Sequence, residues 1–391
     1  MPYMPPRVSV IMPTFNRADT IVRAIDSVRA QSFQDWELLV TDDGSTDGTA
    51  ALLQGIDPRV RVIVQENQGI GGARNTGMRA STGDLIAFLD SDDEWLPHHL
   101  ALAVAFFDRF PEESLLTSEF WVDYNTGEYE KHFRQSFARW FPPVAQAIGK
   151  GSLALPPGDT DDYMRAFATR EPIGEWARPI LATTTFDDVH HYRGNIFREW
   201  RWGWCMSMQS TVFRRAAMER VGWLDVSYPI SSDFGYMAEL CRLYTCNLLS
   251  LPSCIKHEYG AGGKALSQDH LASGKSALKF AKDLLRWNEE LFWKHDPQDY
   301  ELSAIRAYCQ FFAARVALSQ GLRAEALRFF DEACKAMPGL ECHAHRLLVR
   351  AVPDTSLADR GSKYIVRAFG KARAARLKLE NLRSRMARAP A

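Results

Sequence analysis

The sequence predicts an α/β fold, with a mostly parallel central sheet flanked by helices and an α-helical C-terminal extension. Three observations point there. Short apolar runs alternate with helical patterns through the first hundred residues, the acidic stretches fall at the ends of those runs, and from about Ala277 the pattern is helical to the end. Such alternation argues a parallel sheet covered on both faces, whose ligands collect beyond the carboxyl ends of the strands.

The elements follow in order. VSVIM (8–12) is the first strand. A helix follows with Ile21, Val22, Ile25 and Val28 on one face and Asp19 placed to cap it. WELLV (36–40) is the second strand and ends in the polar turn TDDGSTDGT (41–49). VRVIV (60–64) is the third and leads into the glycine-rich helix start GIGGAR (69–74). DLIAFL (84–89) is the fourth, and LPHHLALAVAFFDRF is a helix with Pro97 at its start. Residues 114–205 are less regular and hold six of the eleven tryptophans together with His190 and His191. Order returns with a strand and short helix in 209–225 and a helix in 231–244, whose serines suit capping. Residues 317–340 read as one helical hairpin with glycine at the turn. The expected organisation is a catalytic domain over 1–265, split into 7–110 and 111–265, and a helical extension over 266–391.

Composition bounds the function. A chain of 391 residues that is 46% hydrophobic can bury a large core. The net charge of −1 predicts no strong global attraction to nucleic acid or membrane. It hides a basic tail, since from Arg360 onward ten Lys or Arg face one acid, Glu380. That tail reads either as a basic amphipathic helix on anionic lipid or as a solvated end. Seven scattered cysteines without a C-x-x-C pair indicate a reducing compartment. Cys342, His343 and His345 lack the second ligand pair that zinc needs. No stretch has the apolar length of a signal peptide or a membrane span. The expected location is cytoplasmic, with peripheral contact to the inner face of the cytoplasmic membrane through the tail.

Two motifs invite ligands. GIGGAR with Asp90 downstream approaches a dinucleotide fingerprint, but Arg74 stands where close helix packing wants a small residue. The second is FLDSDDEW (88–95). Asp90 and Asp92, one residue apart at a strand end, point to the same side and suit one hard cation, Mg²⁺ or Mn²⁺, whose shell a phosphorylated ligand completes. From spacing alone a solvated acidic turn fits equally well.

PTFNRA (13–18), TDDGSTDGT, ARNTG (73–77) and FLDSDDEW, in this order, resemble the family-2 glycosyltransferases of the GT-A fold. The resemblance covers residues 7–110 closely and 205–260 more loosely. It implies an inverting enzyme that moves a sugar from a nucleotide-diphosphate donor, a UDP-sugar in the first instance, to a saccharide or lipid-linked saccharide, in bacterial cell-surface polysaccharide assembly. It implies donor-binding roles for Pro13, Thr14, Phe15, Asn16, Asp42, Asp43, Arg74, Asp90 and Ser91. Asp90, Asp92 and His257 would be metal ligands, and Asp233 the catalytic base. Ser232 stands where the family more often has Glu, which weakens that match. Trp202 and Trp204, in WRWGWCM (200–206), would form an acceptor lip by stacking on sugar faces. Plain core packing fits these tryptophans equally. Two other readings are a nucleotidyltransferase, which would need a basic glycine-rich loop by the first strand, and a non-catalytic relative, which would lack the acids.

Overall fold

The computed structural model describes residues 5–123, 129–131, 166–202, 205–228, 230–257, 277–295, 300–336, 340–352, 356 and 358–360. The described residues up to His257 form one compact unit and those from Ala277 a second.

In the first unit, strand β1 (Val8–Thr14) is buried along its whole length. Parallel neighbours flank it, β2 (Trp36–Asp42) on one side and β4 (Leu85–Phe88) on the other. The edge strand β3 (Val60–Val64) pairs parallel with β2 and is only half-buried, as an edge should be. Beyond β4 the sheet becomes mixed. β10 (Thr211–Arg214) lies antiparallel between β4 and β6 (Leu115–Asp123). β11 (Cys246–His257) then pairs parallel with β6, and β9 (His190–Gly194) and β8 (Thr169–Pro172) follow antiparallel. A short β7 (Tyr129–Lys131) pairs with β6. The parallel order expected from the sequence is therefore that of the first four strands. At Pro252 the register of β11 against β6 shifts, because proline has no N–H to give the ladder. Past that shift, β5 (Glu94–Trp95) adds antiparallel to β11 and fastens the acidic turn to the far half of the sheet.

Val8, Val10 and Met12 point into one layer with α1 (Ile21–Arg29) and α3 (His99–Arg109). On α1 the buried apolar face is Ile21, Ala24, Ile25 and Val28. Val22, expected on that face, is 38% exposed, since position 22 sits a full 100° from 21 and away from 25 and 28. Thr20, not Asp19, precedes the helix, and it makes no side-chain cap. Ile11 points to the opposite layer, beneath α2 (Gly69–Ala80). A Cβ on Gly77 would lie 2.6 Å from Ile11 Cγ2, so the glycine of ARNTG lets α2 press directly onto β1. Helix α4 (Ser232–Leu243) begins without a side-chain cap from Ser231.

The second unit contains α5 (Ala277–Asn288), α6 (Tyr300–Ser319), α7 (Arg323–Ala336) and α8 (Leu340–Ala351). Gly321, at φ 78°, makes the turn between α6 and α7. His345 is fully buried, stacked on Phe330 and edge-on to Phe311, which assigns it to the core. Cys205, Cys241, Cys246, Cys254, Cys309 and Cys334 are buried free thiols.

Candidate active site

Three loops meet at the carboxyl ends of β1, β2 and β4. The first two are tied together by hydrogen bonds. Asn16, at φ 53°, accepts from Thr46 N at 2.8 Å and donates its own N–H to Ser45 Oγ at 2.9 Å. The Arg17 and Ala18 N–H groups donate to Thr49 Oγ1 and Asp47 Oδ2. Positive φ at a residue other than glycine costs about 1 kcal/mol, which these bonds offset. Gly44 and Gly48 take φ 85° and 94° to let the acidic loop curl back. Asp42 is fixed by Ser45 N at 2.9 Å, while Asp43 Oδ1 accepts from Gln65 Nε2 and Gln68 N at 2.7 and 2.9 Å. Pro13 and Thr14 are buried, and the Thr14 carbonyl accepts from Asp43 N. Phe15 turns a ring that is 44% exposed to solvent. Ser91 is buried and its carbonyl accepts from Thr20 Oγ1.

The acidic turn is held by cations from distant parts of the chain. Arg74, 2% exposed, donates to Asp90 Oδ1 at 2.8 Å. Gln209 donates to the other Asp90 oxygen. Arg17 pairs with Asp92 Oδ2 at 3.3 Å, and Arg23 donates to the Asp92 carbonyl and pairs with Glu94. Local sequence around FLDSDDEW offers no such partner. PTFNRA carries Arg17 in plain view, but nothing in the sequence links Gln209 to Asp90 across 119 positions.

His257 is brought to this turn in a different manner from that expected of a metal ligand. Its backbone N–H donates to Asp93 Oδ1, and its ring nitrogens face Glu94 Oε1 at 2.7 Å and Asp123 Oδ2 at 3.1 Å. A ring engaged on both sides has no lone pair for a metal until one contact opens. Trp202 ends a short helical turn, and Trp204 lies outside the described residues. Trp200, from the same run, is fully buried against Phe234 and belongs to the core.

Electrostatics join the two halves. Burial raises the Asp233 carboxyl above its ordinary value, Arg74 pulls it down, and Asp90 pushes it up again. Burial also raises Asp92, with Asp90 adding to the shift, and raises Asp93 further. Arg74 is held charged, against burial, by Asp90, Asp233 and Asp92. It therefore stands among carboxylates from both sides of the site. Asp90 has both oxygens occupied by protein donors, whereas Asp92 is partly exposed and meets Arg17 through Oδ2 at 3.3 Å, with Lys256 adding a weaker attraction. The donor set fits a hard cation held by Asp92, with substrate oxygens and water completing its shell. Among the described residues no three His, Cys, Asp or Glu side chains form a closed metal cage.

The fold and site define an α/β domain that gathers charged side chains at the carboxyl ends of its parallel strands. The model of Glycosyl transferase family 2 matches residues 9–169, so this segment is a family-2 glycosyltransferase domain. The chain is 43% identical over 100 residues to the UDP-Glc:alpha-D-GlcNAc-diphosphoundecaprenol beta-1,3-glucosyltransferase WfgD of Escherichia coli, a match covering 25% of this chain and 40% of that protein. It is 50% identical over 97 residues to the succinoglycan biosynthesis protein ExoO of Rhizobium meliloti, covering 24% of this chain and 28% of that one. The chain thus spans well under half the length of these relatives. The fold is of the GT-A kind, matching S. aureus TarS 1-349 in complex with UDP-GlcNAc at TM-score 0.51 and 15% identity, over 94% of this chain and 92% of that chain.

Proposed function

We propose that this protein is an inverting, metal-dependent glycosyltransferase that takes a sugar from a nucleoside diphosphate, in the first instance a UDP-sugar, and places it on a saccharide or lipid-linked saccharide acceptor. The observation that carries this reading is Arg74, buried and charged among Asp90, Asp92 and Asp233. It links the donor-side acids to the group that would act as base.

The donor's base would lie by Phe15 and Asp43, with Pro13, Thr14, Asn16 and Asp42 shaping the wall. Ser91 and Asp90 would hold the ribose end and Arg74 would face the diphosphate. Asp233 has the proton affinity of a better base than a solvated carboxylate, because burial disfavours its charge. It would take the proton from the acceptor hydroxyl as that oxygen bonds to the anomeric carbon and the bond to the diphosphate breaks. Inversion follows from this single displacement. A Mn²⁺ or Mg²⁺ ion on Asp92, with Asp90 beside it, would neutralise charge on the departing diphosphate. His257 would join that ion only after releasing Glu94 or Asp123, so in this reading it positions the turn first.

The acceptor lip at Trp202 and Trp204, and the division into 1–265 and 266–391, are part of the same proposal. WfgD's name specifies a lipid-linked acceptor, which favours that acceptor class here. Among the described residues no helix is long and apolar enough to cross a membrane. We place the enzyme at the inner face of the cytoplasmic membrane, with the basic tail as its contact, in cell-surface polysaccharide assembly. The test is transfer from a panel of nucleotide-sugars by wild type and Asp233→Asn. The expected result is transfer with inverted configuration from one donor and at least a ~100-fold loss in the variant. Wild-type transfer that survives in Asp233→Asn removes Asp233 from the mechanism.

A further inference from the structure

Asn75 takes no role in the scheme above, yet its side chain makes an unusual bond. It is 4% exposed. Its Oδ1 accepts from Leu224 N at 2.9 Å and its Nδ2 donates to Leu224 O at 2.9 Å. The amide thus satisfies both backbone groups of one residue 149 positions away, as a neighbouring strand would. Leu224, itself buried, lies in the segment that leads into α4 and Asp233.

Two neighbours on the same face of α2 act at the same junction. One turn earlier, a Cβ on Gly71 would lie 2.9 Å from Ser232 Oγ, so the missing side chain lets the start of α4 sit directly on α2. Adjacent to Asn75, Arg74 reaches Asp90. At positions 71, 74 and 75 one helical stripe therefore touches the base-bearing segment and the acidic turn. Gly77 seats that helix on β1, as described above, and so fixes its height.

We propose that Asn75 is a positioning residue that sets the place of Asp233 relative to Asp90 by clamping Leu224 to α2. This rests on the functional reading given above for Asp233. Removing the amide leaves the Leu224 N–H and C=O without their partner, and the entry to α4 loses its fixed point. Among the described residues the Asn75 side chain bonds to Leu224 and not to the donor loops at Asn16, Asp43 and Asp92, so those loops keep their geometry. The expected signature separates chemistry from donor binding.

The experiment compares wild type, Asn75→Ala and Asn75→Asp in three measurements on the full chain: UDP affinity by calorimetry, steady-state transfer, and hydrogen exchange at the Leu224 amide. For Asn75→Ala the expected results are UDP affinity within about twofold of wild type, kcat lowered by at least ~10-fold with donor KM little changed, and Leu224 protection lost. Asn75→Asp keeps an acceptor for the Leu224 N–H, so it retains protection there and supplies the test if the alanine variant does not fold. Leu224 protection unchanged in Asn75→Ala, or kcat unchanged with protection lost, overturns the proposal. A parallel fall in UDP affinity and kcat assigns Asn75 a general structural role and also overturns it. If wild type transfers no sugar at all, the functional reading has failed, while loss of Leu224 protection still decides the clamp.

Discussion

Replacing Arg74 by methionine keeps most of the side-chain volume and removes the charge. The guanidinium side chain is 3% exposed and its partner Asp90 19% exposed, 2.8 Å apart. Breaking a buried ion pair on one side costs about 3–5 kcal/mol, because the remaining charge is left uncompensated. Asp90 keeps Gln209 and some access to solvent, so the lower end applies, about 3 kcal/mol. For a unit of this size that corresponds to a fall in Tm on the order of 6–12 °C. Asp90→Asn in the Arg74→Met background removes the orphaned charge. The double variant is therefore expected to be more stable than the sum of the singles predicts, by at least ~1 kcal/mol. The assay is chemical and thermal unfolding of the four members of the cycle. An Arg74→Met protein within ~0.5 kcal/mol of wild type, or strict additivity, would refute the claim that Arg74 holds the acids together.

Other outcomes follow from the same geometry. Asp92→Asn is expected to abolish the Mn²⁺-dependent part of UDP binding while leaving the metal-free part unchanged, as titrations with and without chelator would show. Gly71→Ala, which in an open helix would stabilise by up to ~1 kcal/mol, is expected to destabilise here, and Ser232→Ala to relieve it, in unfolding measurements. Asp57 is held at about 2 by its hydrogen bonds to Arg59. Its folded-state value is depressed, so its contribution is complete above the ordinary 3.8 and lost as pH falls toward about 2. With Arg59 34% exposed, the contribution is roughly 1–2 kcal/mol at neutral pH. The stability gap between wild type and Asp57→Asn should close over that window, and a gap constant down to about pH 2 would count against it.

The parallel half of the fold was readable because buried strands write themselves as apolar runs: 8–12 is VSVIM, and the strand there is Val8–Thr14. The antiparallel half was less so, since β8 and β9 lie in TREP and HHYRG, whose polar composition carries no strand signal. No motif in the sequence assigns a role to His98, His99, His190 or His191. His98 and His99 bond to Pro252 O and Ser253 Oγ, and His191 to Asn247, all partners distant in sequence. In the site, the acids, their turns and the motif arginines Arg17 and Arg74 were legible, while the partners supplied from elsewhere in the fold were not. Arg23 and Gln209 reach the acidic turn, and Asp123 reaches His257, only through tertiary folding, and Asn75 hides in ARNTG as a plain helical asparagine. Ser232 in place of the expected Glu has a local reason in the close approach of Gly71, where a longer side chain would meet α2.

The most direct test of the account is calorimetric titration of UDP and GDP into wild type and Asp92→Ala, each with and without Mn²⁺. The account predicts UDP binding to wild type that strengthens at least ~10-fold with Mn²⁺, and loss of that gain in Asp92→Ala. Absence of binding by either nucleotide, or binding indifferent to both Mn²⁺ and Asp92, would contradict it.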